Sequence, residues 1–367
     1  MSQKQLIISR TATALCGLLG VLTLLPMVPA NSWWVRMWDF PRPQIFSVAL
    51  ILFPVVLFIK FSRKAVKIGM AAVLLAVLVA QAWKVVPFTP LNSRQVQSTD
   101  RLKSDRNVTM LCSNVLMSNE DSSKLAGQIE ALKPSLVLLT ECDERWLKEL
   151  KPVTDSYPYK VEKPISNTYG MALYSQFELV EPEIKFLLED DIPSIHTKLV
   201  LPSQEMVKLY CLHPRPPAPQ ESDSTAQRDA ELILVAKETG KLDMPVIVMG
   251  DLNDVAWSPT TALFQSRSGL LDPRVGRGLY STFHAKIPFL RFPLDHVFHS
   301  SHFRLAQLEV RPDIGSDHFP ILINLSLEDS APLFQPTPTP TPGTEERTEK
   351  TIKEGFQEER REELGED

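Results

Sequence analysis

Hydrophobic and polar positions divide the chain into an apolar front, a mixed middle and a polar end. Charge is absent between Arg10 and Arg36, between Arg42 and Lys60, and between Lys67 and Lys84, and these gaps enclose apolar windows at Ala12 to Ala30, Ile45 to Ile59 and Ile68 to Trp83. A bilayer-spanning helix needs about 17 to 25 mostly apolar residues. The pattern therefore predicts three transmembrane helices, at 11–30, 44–60 and 67–87, within an anchor over 1–88. Trp33, Trp34, Trp38 and Trp83 stand at the window edges, where amphipathic rings meet headgroups. The first window is too long for the core of a signal peptide, and two more follow it.

Residues 89–106 are polar and aperiodic, and read as a linker. A folded domain over 107–329 then opens strand (Val108 to Cys112), helix (Asp121 to Leu132), strand (Leu136 to Thr140). Further apolar runs predict strands at 170–174, 177–186, 195–201, 206–212, 246–249, 294–298, 303–310 and 319–325, with a helix from Thr225 to Thr239. Many strands with few interposed helices imply an α/β fold of four layers, two packed mixed β-sheets flanked by helices, preceded by the three spans. Residues 330–367 begin with a Pro/Thr repeat and end in Glu, Arg and Lys, composing an extended spacer and a disordered tail or a solvated helix.

Basic residues set the expected orientation. Lys4 and Arg10 precede the first window, and Lys60, Arg63, Lys64 and Lys67 crowd the loop between the second and third. By the positive-inside tendency these lie in the cytoplasm, so the domain is expected to be extracytoplasmic, at the cell membrane. A net charge of −5 disfavours a dedicated nucleic-acid binder. The four cysteines match no metal-knuckle spacing and read mainly as small buried hydrophobes.

Two motifs carry chemistry. Gly250-Asp251-Leu252-Asn253 and Gly315-Ser316-Asp317-His318 each place acid and polar groups just beyond an apolar run, at the rim of a sheet. Strand alternation sends Asp251 and Asn253 to one face, where both can meet one phosphate. Carboxylates for a metal, an aspartate to orient water and a histidine to take up charge suit phosphoester hydrolysis. His296, His299 and His302 invite a zinc reading, but along a strand that spacing points to opposite faces.

With Leu111-Cys112-Ser113-Asn114-Val115, Leu138-Leu139-Thr140-Glu141, Gly170-Met171-Ala172-Leu173-Tyr174-Ser175, Cys211-Leu212-His213-Pro214 and Leu294-Asp295-His296-Val297, these motifs resemble the endonuclease/exonuclease/phosphatase superfamily, related to DNase I, in its order. The three preceding helices look like its membrane-anchored bacterial members of the VanJ type. The resemblance implies Asn114, Glu141 and Asp317 as metal ligands for Mg²⁺ or Mn²⁺, hard ions that prefer oxygen. It implies Asp251, Asn253, His318, Asp295 and His213 as catalytic: Asp251 for water, Asn253 and His213 for the phosphate, Asp295 to orient His318. Arg215 and Arg228 are candidate phosphate or headgroup contacts, whereas Asp254 has no catalytic role. The expected partners are the lipid bilayer and a phosphate-ester substrate, lipid-linked for an enzyme beside the outer leaflet; nucleic acid is not favoured. The rivals are an extracellular nuclease and a catalytically inactive binding module, the latter opposed by the intact residue set.

Overall fold

The computed structural model describes residues 2–100, 103–218 and 221–365. Arg101 and Leu102 of the expected linker, Pro219 and Gln220 of the proline-rich loop, and the last two tail residues lie outside the described residues.

Four helices open the chain: α1 (Gln3–Leu24), α2 (Trp33–Arg36), α3 (Arg42–Phe58) and α4 (Lys64–Val85). Two segments, Gln3–Met27 and Lys64–Phe88, are each long and apolar enough to cross a membrane. The second expected span is different. Trp33–Asp39 and Arg42–Phe58 qualify only together and are bent by 61° at the break. Pro41 caps the break, and Arg42 turns inward to pair with Asp39 at 2.5 Å and with Gln81 at 3.3 Å. Gln81 in turn donates to Thr23 at 2.9 Å, so a buried polar seam ties together the ends of α1, α3 and α4 nearest the domain.

The domain contains β1 (Asn107–Asn114), α5 (Ser123–Leu132), β2 (Leu136–Thr140), α6 (Glu144–Thr154), β3 (Tyr159–Lys163), β4 (Met171–Ser175), β5 (Glu178–Phe186), β6 (Pro193–Val200), β7 (Met206–Leu212), α7 (Ala226–Thr239), β8 (Val246–Asp251), α8 (Pro259–Ser268), β9 (Asp295–His299), β10 (Phe303–Val310) and β11 (Ile321–Leu327). One mixed sheet runs β10-β11-β1-β2-β4-β3 and the other β5-β6-β7-β8-β9. Alternation explains the layers. Met110, Cys112, Leu136, Leu138, Leu209, Cys211, Ile247 and Met249 fill the space between the sheets. Their neighbours Leu111, Val137 and Leu139 face α5 and α6, and Tyr210, Leu212, Val246 and Val248 face α7 and α8. Both faces of these strands are covered, hence their unbroken apolar runs.

The linker and the tail depart from expectation. Val96 is buried in the intersheet core, and Leu305 N–H donates to Gln97 at 2.9 Å. The tail forms α9 (Thr344–Leu364), which lies along α7 and α8 rather than in solvent. Its inward face is made of small residues: Thr344, Thr348 and Gly355 are buried, and Ile352 packs on the cluster beneath. Gly355 comes so near α7 that a Cβ there would lie 2.2 Å from that of Ala230. Lys237 pairs with Glu349, and Arg267 with Glu345 at 3.4 Å.

Candidate active site

The two sheets meet at one rim, and the strand ends there carry the polar residues. Parallel pairing of β1 with β2 sets Asn114 opposite Thr140, so Glu141 leaves the next position. In the second sheet Asp251 and Asp295 are direct partners across β8 and β9, while His213 follows β7 alongside. Gly250 makes this possible. It has φ +145°, and a Cβ there would fall 1.9 Å from the Leu212 carbonyl oxygen, so only glycine lets β8 run this close to β7. Glu141 and Asn253 both hold positive φ, at 58° and 51°, a sparsely populated conformation that clusters at functional sites.

Asp251 is the hub. Its Oδ2 accepts from Asn114 Nδ2 at 3.0 Å and lies 3.5 Å from His318 Nε2 and 3.9 Å from His213 Nε2. Asn253 N–H donates to Oδ1 at 3.1 Å, while the Asn253 side chain donates to the Pro214 carbonyl at 2.9 Å. Asn114 also donates to Glu141 at 2.7 Å. His318 Nδ1 donates to Asp295 Oδ2 at 2.8 Å. All of Asp251, Asp295, His213 and His318 are buried.

Electrostatics separates the roles. Burial alone would lower the His318 pKa, but the carboxylates of Asp251 and Asp295 outweigh it and hold the imidazolium up to about 10. Burial works against the Asp251 carboxylate too, yet His318 and His213 keep its pKa below the ordinary value. His213 is pushed down by burial despite Asp251, and its Nδ1 has no hydrogen-bond partner among the described residues. Glu141 is pushed up to about 7, chiefly by burial, opposed by the Asn114 hydrogen bond and aided by the charges of Asp251 and Asp317.

The residues fit a hard divalent cation. Glu141 is a half-buried carboxylate with one neutral donor beside it, and the Asp317 charge reaches it. That is an oxygen-rich set whose mutual repulsion and partial burial a cation would relieve. Asp251, Asp295 and His318 also have ligand atoms within 4.8 Å of one another. There the Nδ1 is committed to Asp295, which leaves the ring only Nε2.

Both candidate arginines are occupied. Arg228 is buried and donates to Asp229 at 2.6 Å and to the Asn253 carbonyl at 2.7 Å, bracing the loop from beneath. Arg215 pairs with Glu189 and, at 3.0 Å, with Glu362 of α9. Asp254 accepts from Ser258 and, at 3.2 Å, from Thr261, which shapes the loop start of α8. His296 sits between Arg274 at 2.6 Å and the Asp254 carbonyl at 2.8 Å, whereas His299 contacts the Ser300 carbonyl. Among the described residues these histidines share no metal cluster. Two residues that sequence reasoning missed border the site: Tyr169, whose ring lies 5.6 Å from that of His213, and Phe283, 5.0 Å from His318. Tyr169 adjoins the Gly170 strand and could have been found from it; Phe283 lies in a loop with no such signal.

Residues 111–318 match the sequence profile of the Endonuclease/Exonuclease/phosphatase family. The chain belongs to that family. It is therefore a hydrolase acting on phosphoester bonds. Among solved structures it is similar to an endonuclease/exonuclease/phosphatase family protein from Bacteroides thetaiotaomicron, with 18% identity, TM-score 0.50, and coverage of 61% of this chain and 96% of that one. A Bacteroides vulgatus endonuclease/exonuclease/phosphatase gives 16% identity and TM-score 0.50 over 60% of this chain and 99% of its own. At such identities the likeness speaks for the fold, the two mixed sheets with flanking helices. No curated protein sequence matches the chain.

Proposed function

We propose that this family member is a divalent-cation-dependent phosphoesterase tethered to the cell membrane, with its catalytic domain extracytoplasmic and a lipid-linked phosphate or pyrophosphate as substrate. The observation that carries the catalytic reading is the pair of Nε2 atoms beside Asp251. At 3.5 and 3.9 Å from Oδ2, both lie beyond hydrogen-bond range, so both can donate to a substrate oxygen.

In this reading Asp251, held ionised, orients the attacking water and accepts its proton. His318, held protonated by Asp295 and Asp251, stabilises the charge that grows on the phosphoryl oxygens, and His213 and Asn253 assist it. Asp295 fixes the ring, since a carboxylate can only accept from Nδ1. Asn114, Glu141 and Asp317 would hold Mg²⁺ or Mn²⁺. That ion supplies Lewis-acid charge at the phosphate when bound.

The membrane reading rests on how the domain meets the apolar helices. Phe40 and Phe88, at the domain-side ends of α3 and α4, pack with Val255, Ala256, Trp257, Phe292 and Leu294, which flank Asn253 and Asp295 in sequence. Trp257 Nε1 donates to the Asp39 carbonyl at 2.7 Å. An active-site rim seated on the ends of apolar helices favours a substrate that is itself held in the bilayer. The test is turnover by the full chain, in detergent micelles, of a soluble phosphodiester, a polyprenyl pyrophosphate and single-stranded DNA, each with and without chelator. Turnover of DNA alone would replace the lipid reading with the nuclease one, and chelator-resistant turnover would sink the mechanism.

A further inference from the structure

The loop between Phe283 and Phe292 is apolar at its tip, basic at its shoulders and joined to the catalytic residues at its base. At the tip Phe289 is 75% exposed and Leu290 45%, with Pro288 exposed beside them and Lys286 and Arg291 exposed on either side. A bulky phenyl ring left this open is costly in water and favourable at a lipid interface, where flanking cations also meet headgroups.

The base of the loop is not free to wander. His284 N–H donates to the Leu290 carbonyl at 2.8 Å and Phe283 N–H to Phe292 at 3.0 Å, which closes a short hairpin-like arch. From that arch Ala285 N–H donates to the Asp317 carbonyl at 2.6 Å, and Thr282 Oγ1 accepts from Asp295 N–H at 3.2 Å. The Phe283 ring lies against His318. The tip has an anchor as well. Gln44, in the first turn of α3, donates from Nε2 to the Phe289 carbonyl at 3.0 Å, and Phe40 meets Phe292 edge-on at 5.6 Å. The exposed Phe289 thus stands beside the point where an apolar helix of this same chain begins.

We propose that residues 285–291 form a lipid-contacting lip of the active site, with Phe289 and Leu290 seated among the acyl chains of the leaflet next to α3. This inference rests on the membrane-tethered reading above and deepens it. The lip gives a phosphate ester with a long apolar chain a continuous path, chain along Phe289 and Leu290, phosphate beside Asp317 and His318. Lys286 and Arg291 hold the loop at headgroup depth, as basic residues flanking an inserted apolar segment do.

The experiment uses the full chain in phosphatidylcholine–phosphatidylglycerol nanodiscs. All four native cysteines are buried, so an environment-sensitive probe can be placed selectively on the Phe289→Cys variant. Lipids carrying a nitroxide high on the acyl chain should quench it strongly; a probe that stays in water, unquenched, overturns the lip. In parallel, the Phe289→Ser/Leu290→Ser variant is compared with the parent on a polyprenyl phosphate ester and a short-chain soluble ester. Turnover of the long-chain ester should fall about tenfold or more, the scale of lost burial of one or two apolar side chains, with the soluble ester within about twofold. Equal loss on both substrates, or none on the long-chain one, overturns the proposal. Should the parent hydrolyse the soluble ester and never the long-chain one, the lipid-substrate reading fails separately, and the quenching result still decides whether the lip meets lipid.

Discussion

His318 Nδ1 donates to Asp295 Oδ2 at 2.8 Å, a contact between two buried side chains, one at the start of β9 and the other in the segment that leads into β11. With the Asp251 carboxylate 3.5 Å from its other nitrogen, the ring is held up to about 10. A histidine in the unfolded chain titrates near 6.5.

That difference fixes a pH dependence. A pKa raised by folding gives stability that is fully present below about 6.5 and lost as pH rises towards 10. The cation-free full chain should therefore lose its stability advantage over His318→Gln between pH 6.5 and 10. Melting curves of both at half-unit steps check this; a gap that stayed constant across the range would sink the charged-imidazole assignment.

On activity, His318→Ala and Asp251→Asn should each lower kcat by on the order of 10²-fold or more, the size typical of positioned acid–base and charge-stabilising groups. Asp295→Asn should lose less, because it disturbs the ring's orientation and leaves the ring present. His299→Ala, whose ring contacts the Ser300 carbonyl away from Asp251, should keep near-normal kcat. Steady-state kinetics on a soluble phosphodiester ranks the four, and a dead His299→Ala beside a normal His318→Ala would overturn the site.

Much of this was legible because strand alternation and strand-end chemistry are short-range signals. The runs at Leu136–Thr140, Met206–Leu212 and Phe303–Val310 are delimited by apolarity alone, Glu141 and His213 follow directly on strand ends, and Asp251 is itself the last residue of β8. The strand Tyr159–Lys163 escaped because it is an edge strand, polar and half exposed, with nothing to distinguish it from a loop. The bend before α3 escaped because an uncharged window records composition, whereas Arg42 turns inward, onto its near neighbour Asp39 and onto Gln81 of another helix. The pairing of Arg215 with Glu189 and Glu362, and the bond of Arg228 to the Asn253 carbonyl, are likewise tertiary facts.

For the metal, activity should vanish in excess chelator and return with Mg²⁺ or Mn²⁺. Glu141, held up to about 7, keeps its proton in the cation-free site below that pH. Cation binding must expel it. Calorimetric titration of Mg²⁺ at pH 6.5 in two buffers of different ionisation enthalpy should reveal proton release, which should disappear at pH 8.5 and in Glu141→Gln. Buffer-independent heat at pH 6.5 would contradict Glu141 as a ligand.

Topology can be read with a reporter phosphatase active only outside the cytoplasm. A fusion after Asn92 should be active and one after Lys64 silent, since Lys60, Arg63, Lys64 and Lys67 lie at the bundle end away from the domain. The reverse pattern would put the catalytic domain in the cytoplasm and revive nucleotide substrates.

The tail gives the sharpest contrast between composition and packing. Composition makes the charged end of 330–367 disordered or at most a solvated helix, in which Gly355→Leu would stabilise slightly, because leucine is the better helix former. The structure says the opposite. A side chain at 355 would run into the Ala230 Cβ, at 2.2 Å, and the Ala226 carbonyl, at 2.9 Å, so α9 must lift from α7. Lifting it exposes Ile352 and the apolar surface of α7 below and releases Arg215 from Glu362. Gly355→Leu should therefore destabilise the full chain by about 1–3 kcal/mol, the usual range for overpacking. It should also open Lys350 and Lys353 to trypsin while the parent stays protected. The change in stability and the protease pattern must move together: a silent or stabilising Gly355→Leu with an equally cleaved parent would mean that α9 does not dock.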